Sequence, residues 1–169
     1  MKIHLLTLSL VMTIFMARAQ NAEQDIVMVG DVMPSFTIKL DDGKEIKSAA
    51  YAGKVILINF FATWCPPCQK ELAEVQESLW PKYQNNKDFV LLTIGREHSE
   101  ADLLTYNEKK GFTFPLYPDK DRAIYGAFAK SLIPRTYLVD KKGKVVMGII
   151  GFNQEEYQKL LAKIEELLK

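Results

Sequence analysis

The spacing of hydrophobic positions changes several times along this chain, and each change marks an element. From Ser35 to Leu40 apolar and polar residues alternate, Asp41-Asp42-Gly43-Lys44 is turn chemistry, and Glu45 to Ser48 returns as a partner. A β-hairpin is predicted there. Val55 to Phe61 is an unbroken, largely β-branched apolar run, short enough for a strand covered on both faces of a sheet. From Pro66 the spacing becomes helical, with Leu72, Val75, Leu79 and Tyr83 on one face. Pro67 is tolerated because it falls in the first turn, and Pro81 predicts an end or a kink.

Phe89 to Ile94 predicts a second buried strand, and Ser99 with Asp102 three positions later predicts a helix that Gly111 stops. Phe114 to Tyr117 suits a short strand and Asp121 to Ala129 a short helix. Thr136 to Val139 and Val145 to Ile150, joined by Asp140-Lys141-Lys142-Gly143, predict an antiparallel hairpin. Asn153 caps a last helix whose stripe is Leu160, Leu161, Ile164, Leu167 and Leu168. This order implies an α/β fold: a central mixed β-sheet with helices on both faces.

The N-terminus breaks the pattern. Lys2 and His4 precede a mostly apolar run, Leu5 to Met16, followed by Ala17-Arg18-Ala19. A run of about twelve residues matches the apolar region of a secretory signal, whereas crossing a bilayer takes roughly twenty. Residues 1–19 are therefore expected to be a signal peptide, 20–30 a short linker and 31–169 one domain. Arg18 inside the cleavage pattern leaves an uncleaved inner-membrane anchor as the alternative. Without residues 1–19 the chain has 20 basic and 21 acidic residues, so charge gives no basis for nucleic acid as a partner.

Cys65 and Cys68 are the only cysteines, and they allow three readings. As a structural staple the pair closes so short a loop that it constrains the unfolded chain only slightly. As a zinc site it lacks ligands, because His98 is the one histidine beyond the signal region. A copper-binding chaperone, with two thiolates and that histidine, needs fewer ligands and stays open. As a reagent the pair is well placed: a cysteine at a strand-to-helix junction faces unpaired amides and the positive end of the helix dipole, which stabilise a thiolate. Cys65 is then the attacking nucleophile, and Cys68, one helical turn on, resolves the mixed disulfide. Pro66 and Pro67 leave no amide donors between them.

Trp64-Cys65-Pro66-Pro67-Cys68 after Asn59-Phe60-Phe61-Ala62-Thr63, with Phe36-Thr37-Ile38 and Asp42-Gly43-Lys44 upstream, resembles the TlpA/ResA-type thioredoxin-like family of the redoxin superfamily. The resemblance spans about Asp31 to Lys169. It implies a thioredoxin-like fold with an N-terminal hairpin and a helix-strand insertion before the proline strand, within Ser99 to Tyr117. It also implies a thiol-disulfide oxidoreductase with no cofactor or metal beyond the cysteine pair. Such proteins are typically exported to the periplasm, reduce other exported proteins, apocytochrome c among them, and draw electrons from a membrane thiol reductase. A monomer is expected.

Residue by residue, the resemblance makes Pro134 the proline held in cis opposite the cysteines, with the backbone of Ile133 bonding an extended substrate. Glu71 matches the acid three residues after the second cysteine, a candidate acid-base aid. The competing reading is a solvated helix glutamate. Asn59 stands where many thioredoxins carry a buried aspartate, and an amide cannot accept the proton. Trp64, Pro66, Ile133 and Pro134 are the candidate substrate contacts. Arg135 is expected at the surface, able to steer an acidic partner, and His98 as a loop residue. Ala73, where many relatives have proline, and the polar segment before Pro134 are departures. A peroxiredoxin-like thiol peroxidase is the enzymatic alternative, although the proline that precedes such motifs is missing from Phe60-Phe61-Ala62-Thr63.

Overall fold

The computed structural model describes residues 25–169, so the expected signal peptide lies outside the described residues. β1 (Thr37–Lys39) and β2 (Glu45–Lys47) form the expected antiparallel hairpin, with Ile38 opposite Ile46. β3 (Val55–Phe61) follows, and then α1 (Pro66–Glu74), a π-helical turn (Val75–Leu79) and α2 (Trp80–Tyr83) run on without a break in the chain. β4 (Phe89–Arg96), α3 (Glu100–Lys110), β5 (Leu116–Asp119), α4 (Ala123–Phe128), β6 (Arg135–Val139), β7 (Val145–Ile150) and α5 (Gln154–Leu168) complete the order. The main sheet reads β5-β4-β3-β6-β7, with β3, β4 and β5 parallel and β6 and β7 antiparallel to their neighbours.

β3 lies at the centre of this sheet, and all seven of its residues are buried. Its pleat divides them between two cores. Leu57 and Phe61 meet Leu72 of α1, Val75 and Leu79 of the π-helical turn, and Leu160 and Ile164 of α5. Ile56, Ile58 and Phe60 meet Ile38, Tyr125, Phe128 and Val139 on the opposite face. A strand sandwiched in this way is held rigidly at both faces, and its carboxyl end is where Cys65 sits.

Proline explains two details of these elements. The helix does not stop at Pro81; instead a π-helical turn precedes it, and the face of Leu72, Val75, Leu79 and Tyr83 stays buried. A proline inside a helix lacks an amide and its ring collides with the carbonyl four residues back, and one wider turn relieves both problems. The strand expected at Phe114 to Tyr117 lies two residues later, at β5. Pro118 falls within it, which is permitted because β5 is an edge strand.

The segment expected as a linker is anchored over its described part. The amides of Ile26 and Val27 donate to Phe128 O at 3.1 and 3.0 Å, Val27 is buried, and Gly30 N donates to Val145 O at 2.8 Å. The apolar side chain of Val27 reaches the second core, which is the physical reason for the docking.

The signals for α3 act as read. Ser99 Oγ accepts the Asp102 amide, the Asp102 carboxylate accepts the Ser99 amide, and Gly111 closes the helix in the left-handed region. Ser99→Ala is expected to lower stability by about 1 kcal/mol, measured by urea unfolding.

Candidate active site

β3 delivers the chain to Thr63 and Trp64, and Cys65 then caps α1 in an extended conformation. Pro66 and Pro67 occupy the first two helical positions and are exposed, so Cys68 carries the first available amide. That amide donates to Cys65 Sγ at 3.3 Å. The two sulfurs are joined in a disulfide. Cys65 keeps 4% of its surface exposed and Cys68 none, so only the first cysteine meets solvent.

Opposite Cys65, the Ile133-Pro134 bond is cis. Ile133 O lies 3.9 Å from Cys65 Sγ. Side chains hold this loop by its carbonyls: the Tyr125 hydroxyl donates to Leu132 O at 2.6 Å, Arg135 Nε donates to Ser131 O at 2.8 Å, and Arg122 donates to Lys130 O. Leu132 adopts a left-handed φ of 70°, rare for a residue with a side chain, and is half exposed. Trp64, the residue before Cys65, is 62% exposed. Trp64, Pro66, Leu132 and Ile133 thus form an accessible rim around a nearly buried sulfur.

One helical turn along α1 from the disulfide lies a small polar cluster. Glu71 follows Cys68 by three residues on α1 and is 3% exposed, so it is a buried carboxyl rather than a solvated one. The Thr136 hydroxyl donates to Glu71 Oε1 at 2.7 Å and accepts from Asn59 Nδ2 at 2.9 Å. Glu71 Oε2 and Asn59 Oδ1 have no partner among the described residues.

Residues 29–147 match the AhpC/TSA family model. The chain belongs to this family. Within it, the chain is similar to the thiol-disulfide oxidoreductase ResA of Bacillus thuringiensis, at 32% identity over 80% of this chain and 77% of the relative. ResA of Bacillus subtilis is 30% identical over 77% of this chain and 72% of the relative. A candidate protein disulfide isomerase from Bacteroides thetaiotaomicron, solved in solution, superposes with a TM-score of 0.81 at 35% identity, over 86% of this chain and 92% of that one. The fold is thioredoxin-like, the family is of the TlpA/ResA type, and the activity is that of a thiol-disulfide oxidoreductase.

For a member of this family the electrostatics beneath the cysteines have a plain cause. Burial pushes the Glu71 carboxyl from its usual 4.5 up to about 7, with the Thr136 hydroxyl and the nearby Asn59 amide pulling more weakly the other way. A carboxyl tuned in this way exchanges its proton near neutral pH.

Arg135 differs from expectation, and His98, in the loop where it was expected, carries a contact that the sequence did not announce. Arg135 is not at the surface: it is 1% exposed, ion-paired with Asp25, and spent on Ser131 O and the Tyr137 hydroxyl, so it cannot steer an acidic partner. It begins β6 under the docked N-terminal segment, where Asp25 offsets its burial. His98 is buried and its Nε2 accepts the Thr63 amide at 3.0 Å. Sequence reasoning missed Thr136 and Tyr125 altogether, because their contacts join segments 65 and 7 residues apart through turns that no local pattern encodes.

Proposed function

We propose that this protein is an exported reductant whose Cys65-Cys68 dithiol reduces disulfides of other exported proteins, apocytochrome c cysteines being one class of substrate. A membrane thiol reductase would restore the dithiol after each turnover. The observation that carries this reading is a cysteine at a helix N-terminus that keeps a small exposed edge, faces the Ile133 carbonyl and stands among the accessible side chains of Trp64, Pro66 and Leu132. An extended peptide laid across that rim brings its disulfide to the one accessible sulfur.

The electron count is simple. The Cys65 thiolate, favoured by the Cys68 amide and the helix dipole, attacks one sulfur of the substrate disulfide, and the other leaves as a thiolate. Cys68 then loses its proton and attacks Cys65 Sγ, which releases the second substrate thiol and forms the internal disulfide. Ionised Glu71, on the same helix face one turn below Cys68, is the acceptor for that proton.

Direction is tested by the reduction potential of the pair, measured by equilibration with thiol redox buffers. A value at or below about −250 mV is expected, and one near −120 mV would make the protein an oxidant instead. Peroxide consumption faster than that of a free thiol would favour the thiol peroxidase alternative. Copper binding has less support, because the lone pair of His98 Nε2 is already taken by the Thr63 amide.

A further inference from the structure

The turn after β4 reaches across to the two residues that immediately precede Cys65. The His98 amide donates to Gly95 O at 3.2 Å, closing the turn Gly95 to His98, and within it Glu97 has a left-handed φ of 64°. Such a conformation is unfavourable for a residue with a side chain and persists where the surroundings impose it. Gly95 is also constrained, since a Cβ there would sit 2.7 Å from Leu103 Cδ2. From this turn the Arg96 guanidinium carbon reaches to 5.9 Å from the Trp64 ring centre and 5.2 Å from that of Tyr125. His98 reaches Thr63.

Both backbone groups of Thr63 are held by side chains. Its amide donates to His98 Nε2 at 3.0 Å, and its carbonyl accepts from Gln69 Nε2 at 2.7 Å. Gln69 Oε1 in turn accepts from Lys110 Nζ at 3.2 Å. A backbone amide can only donate, so Nε2 must present its lone pair and the proton must sit on Nδ1. A protonated ring would set one N–H against another. The acceptor is therefore lost when His98 is charged.

We propose that His98 is a positioning residue for thiol-disulfide exchange: in its neutral form it fixes the Thr63-Trp64 wall of the substrate cleft, and protonation releases that wall. The role rests on the dithiol reading above, because the wall matters only if substrate is laid against it. The groups facing the ring are Arg96 and Glu97 of its own turn, Asp102, Thr105, Tyr106 and Lys109 of α3, and the Phe61 ring from β3. Burial, the largest influence, together with Arg96, lowers its pKa, against Asp102 and Glu97, which raise it. The net direction is downward, so the ring is neutral at pH 7 and charges on the acidic side of 6.5.

The test compares full-length wild type with His98→Gln, whose amide oxygen can accept the Thr63 amide without titrating, and with His98→Leu, which cannot accept at all. Steady-state reduction of insulin disulfides is followed from about pH 7.5 down through the His98 titration, which NMR of the same protein locates on the acidic side of the ordinary histidine range. At the acid end the wild-type KM is expected to exceed that of His98→Gln about three- to tenfold, the worth of one hydrogen bond, and to match it at the alkaline end. Titrations of the cysteines and Glu71 are common to both proteins and cancel in the ratio. His98→Leu is expected to show the raised KM throughout. In NMR spectra the Thr63 amide resonance should follow the His98 ring titration in wild type and lose that inflection in His98→Gln. A ratio that stays flat with pH, a wild-type KM in His98→Leu, or a Thr63 amide indifferent to the ring overturns the proposal. Failure of every protein to reduce insulin would refute the dithiol reading instead, and the Thr63 resonance would still decide whether His98 holds the wall.

Discussion

Cys68→Ser is expected to hold substrate on Cys65 as a long-lived mixed disulfide, and Cys65→Ser to hold none. The asymmetry follows from burial and from one hydrogen bond: Cys65 retains 4% exposure and faces Ile133 O, whereas Cys68 is fully buried. A substrate disulfide can approach only the first sulfur. The Cys68 amide, left as the first donor of α1 by two prolines, stabilises a thiolate on Cys65 and none on Cys68. In wild type the intermediate is short-lived because Cys68 attacks within the same molecule, and well-oriented neighbours behave like reagents at about 10⁵ M or more. Millimolar external thiol cannot match that, so the trapped species should live at least about a thousandfold longer in Cys68→Ser. Non-reducing electrophoresis with mass spectrometry of the linked peptide checks it. If Cys65→Ser were the variant that accumulated substrate, the order of the two cysteines would be reversed.

Glu71→Gln is expected to raise stability at pH 8 and to slow turnover. The carboxyl is buried with Oε2 lacking a partner, and its pKa is pushed from 4.5 to about 7. Because the folded-state value is the higher one, the folded protein binds the extra proton between those limits. Stability associated with Glu71 is full below pH 4.5 and is lost as pH rises through about 7. The difference in pKa corresponds to about 3 kcal/mol at pH 8, and an amide, which keeps an acceptor for Thr136 without a charge, escapes that loss. Urea unfolding should show the variant gaining at pH 8 and matching wild type at pH 4. Activity should move the other way: without a base beneath Cys68, release of reduced substrate is expected to slow about a hundredfold, the lower range for a positioned general base. A variant that gained stability and kept the wild-type resolution rate would assign Glu71 to the core rather than to proton transfer.

The element order was legible in the sequence because its signals are local. The alternating stretch of β1, the seven-residue apolar run of β3, the Ser99-Asp102 box and the Asn153 cap each act within a few residues, and all appear where read. The cysteine pair was legible for the same reason: a strand end, two prolines and a helix start set its chemistry within one turn. Two details depended on neighbours instead: whether Pro81 ends the helix or is absorbed by a π turn, and where the strand after Phe114 begins, since an edge position accepts Pro118 within it.

What lay beyond the sequence is everything made by sheet pairing across long separations. Asn59 opposes Thr136 because β3 and β6 pair in that register, and only this brings a hydroxyl to Glu71 and makes a helix glutamate a buried acid. Arg135 reads as a surface charge until the N-terminal segment folds over it and Asp25 meets it. His98 reads as a loop residue until the parallel pairing of β3 and β4 places its turn beside Thr63. The sequence by itself determined which residues react, since nucleophilicity is set by bonded and next-turn neighbours. Tertiary structure alone decided how those residues are tuned and held, because burial and partner choice belong to the assembled sheet.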